Sequence, residues 1–242
     1  QKEKINLLGF SHERLVDFFH SIDQPRFRAL QLLKWIHQRG VIDFTLMTDF
    51  SLELRNQLSA IAEVKPPIVE QCYVSPEGTK KYLIKLESGS MIEMVKIPEK
   101  KRMTLCISSQ AGCALQCTFC ATGAQGFEKN LSDDEIIGQL WLANFYDSTS
   151  PLISNVVFMG MGEPLLNIEN VLSSIGLMLH QNAYGLSKRR ITLSTSGIVP
   201  EINKLAERTD VSLAISLHAA NNILRDETVS YTHLTLPTTG SV

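Results

Sequence analysis

The chain has 242 residues, 44% of them hydrophobic and 20% charged, which is enough to bury a substantial core in one or two domains. A formal net charge of only −2 excludes the general basic character of proteins that coat nucleic acid. No run approaches the about eighteen apolar residues of a membrane span, and the opening QKEKINLLGF has no signal-peptide core, while Gln1 in place of Met leaves a preceding segment open.

Residues 1–64 read as helical. Ser11 is placed to cap a helix carrying Leu15, Phe18 and Phe19, and Pro25 fits the first turn of a second, with Phe27, Leu30, Leu33, Lys34 and Ile36 on one side and Gly40 as its stop. Ser51 opens a third helix through Leu54 and Leu58, and Lys65-Pro66-Pro67 is a linker, since paired prolines hold the backbone extended. The period then becomes alternating. Strands are predicted over 68–74, 79–86 and 91–97, with turns at Pro76-Glu77-Gly78 and Ser88-Gly89, so that 65–103 forms a β extension. A fourth strand over 104–109 feeds a cysteine-rich stretch.

From there strands alternate with helices. Ser132 caps a helix over 131–145 whose first turn carries Asp133, Asp134 and Glu135. Strands follow at 156–159, 191–194 and 211–217, with helices at 168–179 and 200–207 between them. Repeated strand-helix units imply a parallel sheet with right-handed crossovers and a site at the carboxyl ends of its strands, within a unit spanning 104–229. The tail over 230–242, SYTHLTLPTTGSV, contains no Asp, Glu, Lys or Arg and no periodicity. It reads as foreign to what precedes it, as if the reading frame ran out, with an ordinary Thr-rich tail as the alternative.

Three of the five cysteines fall in Cys113-Ala-Leu-Gln-Cys117-Thr-Phe-Cys120, spaced C-x3-C-x2-C. Thiolates are the usual ligands of iron-sulfur clusters, and a tight loop brings three to one point, leaving one iron of a four-iron cluster open for chemistry. A zinc knuckle or three incidental thiols are the alternatives. Zinc usually takes a fourth Cys or His close by, and the nearest histidines are His37 and His180. This cysteine usage suits a reducing compartment better than a disulfide scaffold, and the cytoplasm is the expected location. Gly160-Met161-Gly162-Glu163-Pro164 follows the next strand, where glycines admit a ligand to the backbone. Ser194-Thr195-Ser196-Gly197 and Ser216-Leu217-His218 end the two strands after it and offer hydroxyls and an imidazole; each alone is more often turn chemistry.

The cysteine spacing, down to Phe119 before the third thiol, resembles the signature of the radical S-adenosylmethionine (SAM) enzymes. The runs LLKWIHQRGVIDFTLMTDFS, RMTLCISSQAGCALQCTFCATGAQGF and VVFMGMGEPLLN together resemble the radical SAM adenine-C2 methyltransferases of 23S ribosomal RNA and transfer RNA, from about Leu7 to about Arg225. The resemblance implies an α/β fold: a partial (β/α)6 radical SAM barrel, incomplete here, with a small N-terminal helical domain of RNA-binding type and the β extension. It implies a 4Fe-4S cluster on Cys113, Cys117 and Cys120, and SAM held by Gly162, Glu163, Ser194, Ser216, Leu217 and His218. Two SAM molecules serve such enzymes. One methylates a cysteine near the C-terminus; the other is cleaved to a 5′-deoxyadenosyl radical, which activates that methyl group for addition to C2 of adenine.

By the same resemblance Glu93 accepts the C2 proton, and Cys106 forms a transient disulfide with the methyl-carrying cysteine. Without it, Glu93 reads as a solvated strand residue and Cys106 as a small buried hydrophobe. Cys72 receives no role. The implied partners are 23S ribosomal RNA, transfer RNA and an external electron donor, with no membrane and a monomeric state. The target adenine must leave its stack, and Lys80-Lys81, Lys100-Lys101-Arg102 and Lys188-Arg189-Arg190 are candidate phosphate contacts, though such clusters are usually solvated surface. One departure stands out: no cysteine follows Cys120, so the chain as written is expected not to turn over. The alternatives are a C8-adenine methyltransferase of the antibiotic-resistance type and a non-catalytic iron-sulfur module that binds RNA.

Overall fold

Local caps set the N-terminal helices, as their sequence suggests. In the computed structural model, which describes residues 4–146, 151–217, 219 and 221–229, a short strand β1 (Ile5–Asn6) precedes α1 (His12–Ser21), and Ser11 Oγ accepts the Arg14 N–H. α2 (Phe27–Leu33) continues into a wider π turn, Lys34–Gln38, where the sequence had suggested one α-helix; Trp35, Ile36 and His37 are buried there. α3 (Leu52–Ile61) begins at Ser51, whose Oγ accepts the Leu54 N–H, and β2 (Ala62–Glu63) returns to pair parallel with β1.

The alternating stretch gives β3 (Ile68–Val74), β4 (Lys80–Lys85), β5 (Met91–Glu99) and β6 (Arg102–Cys106), each antiparallel to the one before. Next come β7 (Gln110–Gly112), α4 (Ala121–Gln125) and β8 (Phe127–Asn130). The antiparallel β7–β8 pair closes the base of the cysteine loop. α5 (Asp133–Phe145) opens with the capping box expected of Ser132 and Glu135. β9 (Asn155–Phe158), α6 (Ile168–Leu179), β10 (Ile191–Thr195), α7 (Val199–Arg208), β11 (Ser212–Ile215) and α8 (Asn222–Thr228) complete the order.

Seven strands form one sheet in the order β11-β10-β9-β6-β5-β4-β3. β6, β9, β10 and β11 run parallel, the four expected from the strand-helix pattern, and form the incomplete (β/α) barrel. The β extension prolongs the same sheet, because β6 pairs antiparallel with β5 on one edge and parallel with β9 on the other. α5 explains how the helical part is held. It is buried from Glu135 to Asn144, with its apolar residues in the core and its buried Gln139 and Asn144 hydrogen-bonded to backbone groups. Trp141 Nε1 donates to Ile36 O at 3.0 Å, and Arg14 pairs with Asp133 at its start. Among the described residues no helix is long and apolar enough to cross a membrane. His218 and the tail over 230–242 lie outside the described residues.

Candidate active site

The cysteine loop is built by short-range backbone bonds. Cys113 N–H donates to Gly126 O at 2.9 Å and Cys120 N–H to Cys117 O at 3.1 Å, while Thr118 N–H reaches Thr228 O of α8 at 3.1 Å. Cys113, Cys117 and Cys120 line one cavity of about 340 Å³, together with Gly162, Glu163, Ser194 and Ser216. These residues come from the ends of β9 and β10, from just past β11, and from the loop after β7, so the cavity sits at the carboxyl ends of the parallel strands. A larger cleft of about 630 Å³ lies between the proline linker, the β4–β5 turn and the start of α5. Its lysines answer its own acids, in the pairs Lys65–Glu87, Lys85–Glu70 and Lys129–Glu135, and it contains no thiol.

Burial pushes the Cys113 thiol above its ordinary range, against the Leu115 N–H that steadies the thiolate at 3.4 Å; Cys117, Cys120 and Glu163 add like-charge repulsion. A thiol that resists ionising at Cys113 suits a cationic inorganic core, which deprotonates the thiols it binds. Among the described residues no three His, Cys, Asp or Glu side chains close on one point, as a single metal ion requires. The thiols stand round a cavity instead, which fits a cluster that would take the three thiolates on three separate irons.

Glu163 is 4% exposed and does more than face the cavity. Its carboxylate accepts the Leu165 N–H at 3.1 Å, capping a 3-10 turn, and the Ser196 N–H at 2.8 Å, tying the end of β9 to the end of β10. A carboxylate has about four acceptor positions, so two N–H donors leave room for an ammonium. The glycines beside it are steric necessities. A Cβ on Gly160 would lie 2.7 Å from the Ile107 carbonyl, and Gly162, at φ +98°, would place one 2.5 Å from Gln110 Cβ.

Glu93 and Cys106 are not in the lining of this cavity. Glu93 pairs with Lys81 at 2.6 Å, both side chains partly exposed, and its carbonyl accepts the Ser108 hydroxyl at 2.7 Å. Cys106 lies opposite Val95 and Val157; burial raises its thiol above the ordinary range, against an N–H from Met159, a residue that does line the cavity. The disulfide expected of Cys106 is not found. All five cysteines are free, and the strand neighbours of Cys106 carry no thiol. Leu217 is 64% exposed and is also absent from the lining.

Several polar residues that hold the site had no signal of their own in the sequence. Asn167 Nδ2 donates to Ser109 O at 2.8 Å and Leu131 O at 2.7 Å. Gln139 Oε1 accepts the Ser108 N–H at 2.8 Å, and its Nε2 donates to Ser108 O at 2.9 Å. Arg225 in α8, 3% exposed, donates to Leu217 O at 2.8 Å and to Ser196 O, fastening the ends of β10 and β11. The only hint was that Ser108 and Ser109 fall within the run that carries the cysteines.

A parallel α/β sheet with three spaced thiols and a glycine-glutamate loop at its carboxyl edge defines a class, and the chain belongs to the radical SAM superfamily, whose pattern matches residues 107–234. Residues 5–64 match the ribosomal RNA large subunit methyltransferase N-terminal domain. More particularly, the chain is 55% identical over 231 residues to the dual-specificity RNA methyltransferase RlmN of Saccharophagus degradans, covering 93% of this chain and 58% of that protein. It is 52% identical over 231 residues to the protein of the same name from Marinobacter nauticus, covering 94% and 63%. A solved radical SAM methyltransferase from Sphaerobacter thermophilus superposes with a TM-score of 0.87 at 34% identity, covering 93% of this chain and 67% of that one. The chain thus spans about three fifths of the length of these curated relatives, 58% and 63%.

Proposed function

We propose that this chain carries the cluster- and SAM-binding part of a radical SAM methyltransferase that forms 2-methyladenosine in 23S ribosomal RNA and transfer RNA. One observation carries the reading: the three thiols and the glycine-glutamate loop, remote from each other in sequence, face a single cavity. The cofactors would be a 4Fe-4S cluster and SAM, the bound cluster supplying the electron that cleaves SAM. Cys113, Cys117 and Cys120 would hold the cluster. Glu163 and the backbone around Gly162 would take the ammonium of SAM, and Ser194 and Ser216 would reach its polar parts. Exclusion of water falls to Phe158 and Leu115 at the cavity wall, 2% and 7% exposed. Glu93 would accept the adenine proton, its carboxylate held by Lys81.

In this reading residues 1–64 contact RNA, 65–103 are an extension of the barrel sheet and 104–229 are the barrel, with 230–242 as a separate tail. The RNA methyltransferase names of the relatives support it over a non-catalytic iron-sulfur module. A monomer reduced by an external electron donor is part of the same proposal. Anaerobic reconstitution followed by assay of SAM cleavage to 5′-deoxyadenosine tests the chemistry, and an intact SAM pool over a full cluster would refute it. Disruption of the gene, with mass spectrometry of cellular RNA nucleosides, tests the product. Loss of 2-methyladenosine is expected, whereas loss of 8-methyladenosine would move the reaction to the other carbon.

A further inference from the structure

Gln110, the first residue of β7, is 1% exposed and takes part in no step described so far. Its side-chain oxygen accepts two backbone N–H groups: Glu163, at 3.0 Å, and Ala114, at 3.2 Å. The first belongs to the glycine-glutamate loop and the second to the cysteine loop. Both donors are amides with nothing to accept, so the oxygen and not the nitrogen must face them. The nitrogen faces the other way, donating to Asn130 Oδ1 at 2.8 Å, and Asn130 Nδ2 in turn donates to Leu166 O at 3.2 Å. The amide is therefore held in one orientation. The backbone supports the same junction, since Ser109 N–H and Gln110 N–H both donate to Met161 O, at 2.8 and 3.2 Å. Gly162 also depends on this neighbour, because the nearest atom to a Cβ at Gly162 would be Gln110 Cβ.

Given the cofactor assignment proposed for this cavity, we infer that Gln110 is a positioning residue that sets the SAM-binding loop relative to the cluster loop. One oxygen atom serves both loops, so a shift of either is felt by the other. The three thiols do not need Gln110 to bind iron; the placement of Glu163 against the open side of the cluster does.

Replacement by a side chain of similar volume without an acceptor separates the two functions. Gln110→Met in the full chain is expected to keep the iron and sulfide of the wild type after anaerobic reconstitution. Its SAM affinity should fall about tenfold or more, since two buried N–H groups lose their acceptor, and the change that SAM causes in the electron paramagnetic resonance spectrum of the reduced cluster should be lost. Gln110→Glu, which can still accept both N–H groups, should recover most of the affinity. Wild-type SAM affinity and an unaltered spectral change in Gln110→Met would overturn the inference. So would a parallel fall of iron content, SAM affinity and thermal stability that Gln110→Glu does not relieve, because that pattern belongs to a merely structural residue. Should Gln110→Met fail to fold, Asn130→Ala decides, with Asn130→Asp, which keeps the acceptor for Gln110 Nε2 and loses only the bond to Leu166 O, as its control: SAM binding weakened at full iron content in Asn130→Ala and not in Asn130→Asp supports the role, whereas unchanged binding in Asn130→Ala or an equal fall in both overturns it. A wild-type chain that takes up no iron would refute the cofactor assignment and this inference with it, whereas the Gln110 outcomes refute only the latter.

Discussion

Acidification should loosen this protein through His37. The imidazole is 2% exposed in the π turn, with Nδ1 3.1 Å from the Tyr184 hydroxyl and Nε2 without a partner. Burial pulls its pKa from 6.5 down to about 3, with a smaller push from His180. The folded protein therefore refuses a proton that the unfolded chain accepts at about 6.5. Its contribution is complete above that value and is lost as the pH falls toward 3. For one such group the difference between pH 7 and pH 5 is about 2 kcal/mol, a large part of the stability of a typical domain. Urea denaturation at pH 7, 6 and 5 would measure it, comparing the wild type with His37→Asn, which keeps a polar atom beside the Tyr184 hydroxyl and does not titrate. His180, whose pKa is lowered by burial and by His12, is present in both proteins and cancels. The wild type should lose about 2 kcal/mol more than the variant over this interval; parallel pH profiles would refute the argument, whatever the absolute stabilities.

Single Cys113→Ala, Cys117→Ala and Cys120→Ala variants should each lose iron and sulfide on anaerobic reconstitution, and a full cluster in all three would remove the assignment. Glu163→Ala should keep its iron while binding SAM about tenfold more weakly or worse, and should also unfold about 1–3 kcal/mol more easily, because two backbone N–H groups lose their acceptor. A loss of cluster with SAM affinity intact would contradict that. Gly162→Ala should cost about 1–3 kcal/mol in thermal unfolding, from the strained φ of +98° and the 2.5 Å approach to Gln110 Cβ; an unchanged midpoint would show that the loop lies elsewhere.

What the sequence determined by itself was whatever depends on near neighbours along the chain. The three thiols lie within eight residues, so their common loop follows from spacing. Ser11, Ser51 and Ser132 cap helices through N–H groups two or three residues away, and they do so in the structure. The runs at 156, 191 and 211 became the parallel strands, with burial alternating along β9 and β10 and β11 largely exposed at the edge of the sheet. Short elements escaped. The paired β1 and β2 have two residues each, too few to show a period, and the π turn differs from an α-helix by backbone bonds one residue longer, such as Arg39 N–H to Lys34 O, which no residue type signals. The chain order gave no strand order, and only the tertiary structure put β6 between β5 and β9, making the meander and barrel one sheet.

The supports of the site were invisible for the same physical reason. Gln110, Asn167, Gln139 and Arg225 are polar residues whose sequence signature is that of a solvated surface. They are buried because loops from distant parts of the chain bring unpaired N–H and C=O groups to one place, and each such group must find a partner. The ligand types are local chemistry and can be read from residues in a row. Their mutual placement is settled by hydrogen bonds across 53 residues, as between Gln110 and Glu163, and only the folded chain brings those ends together.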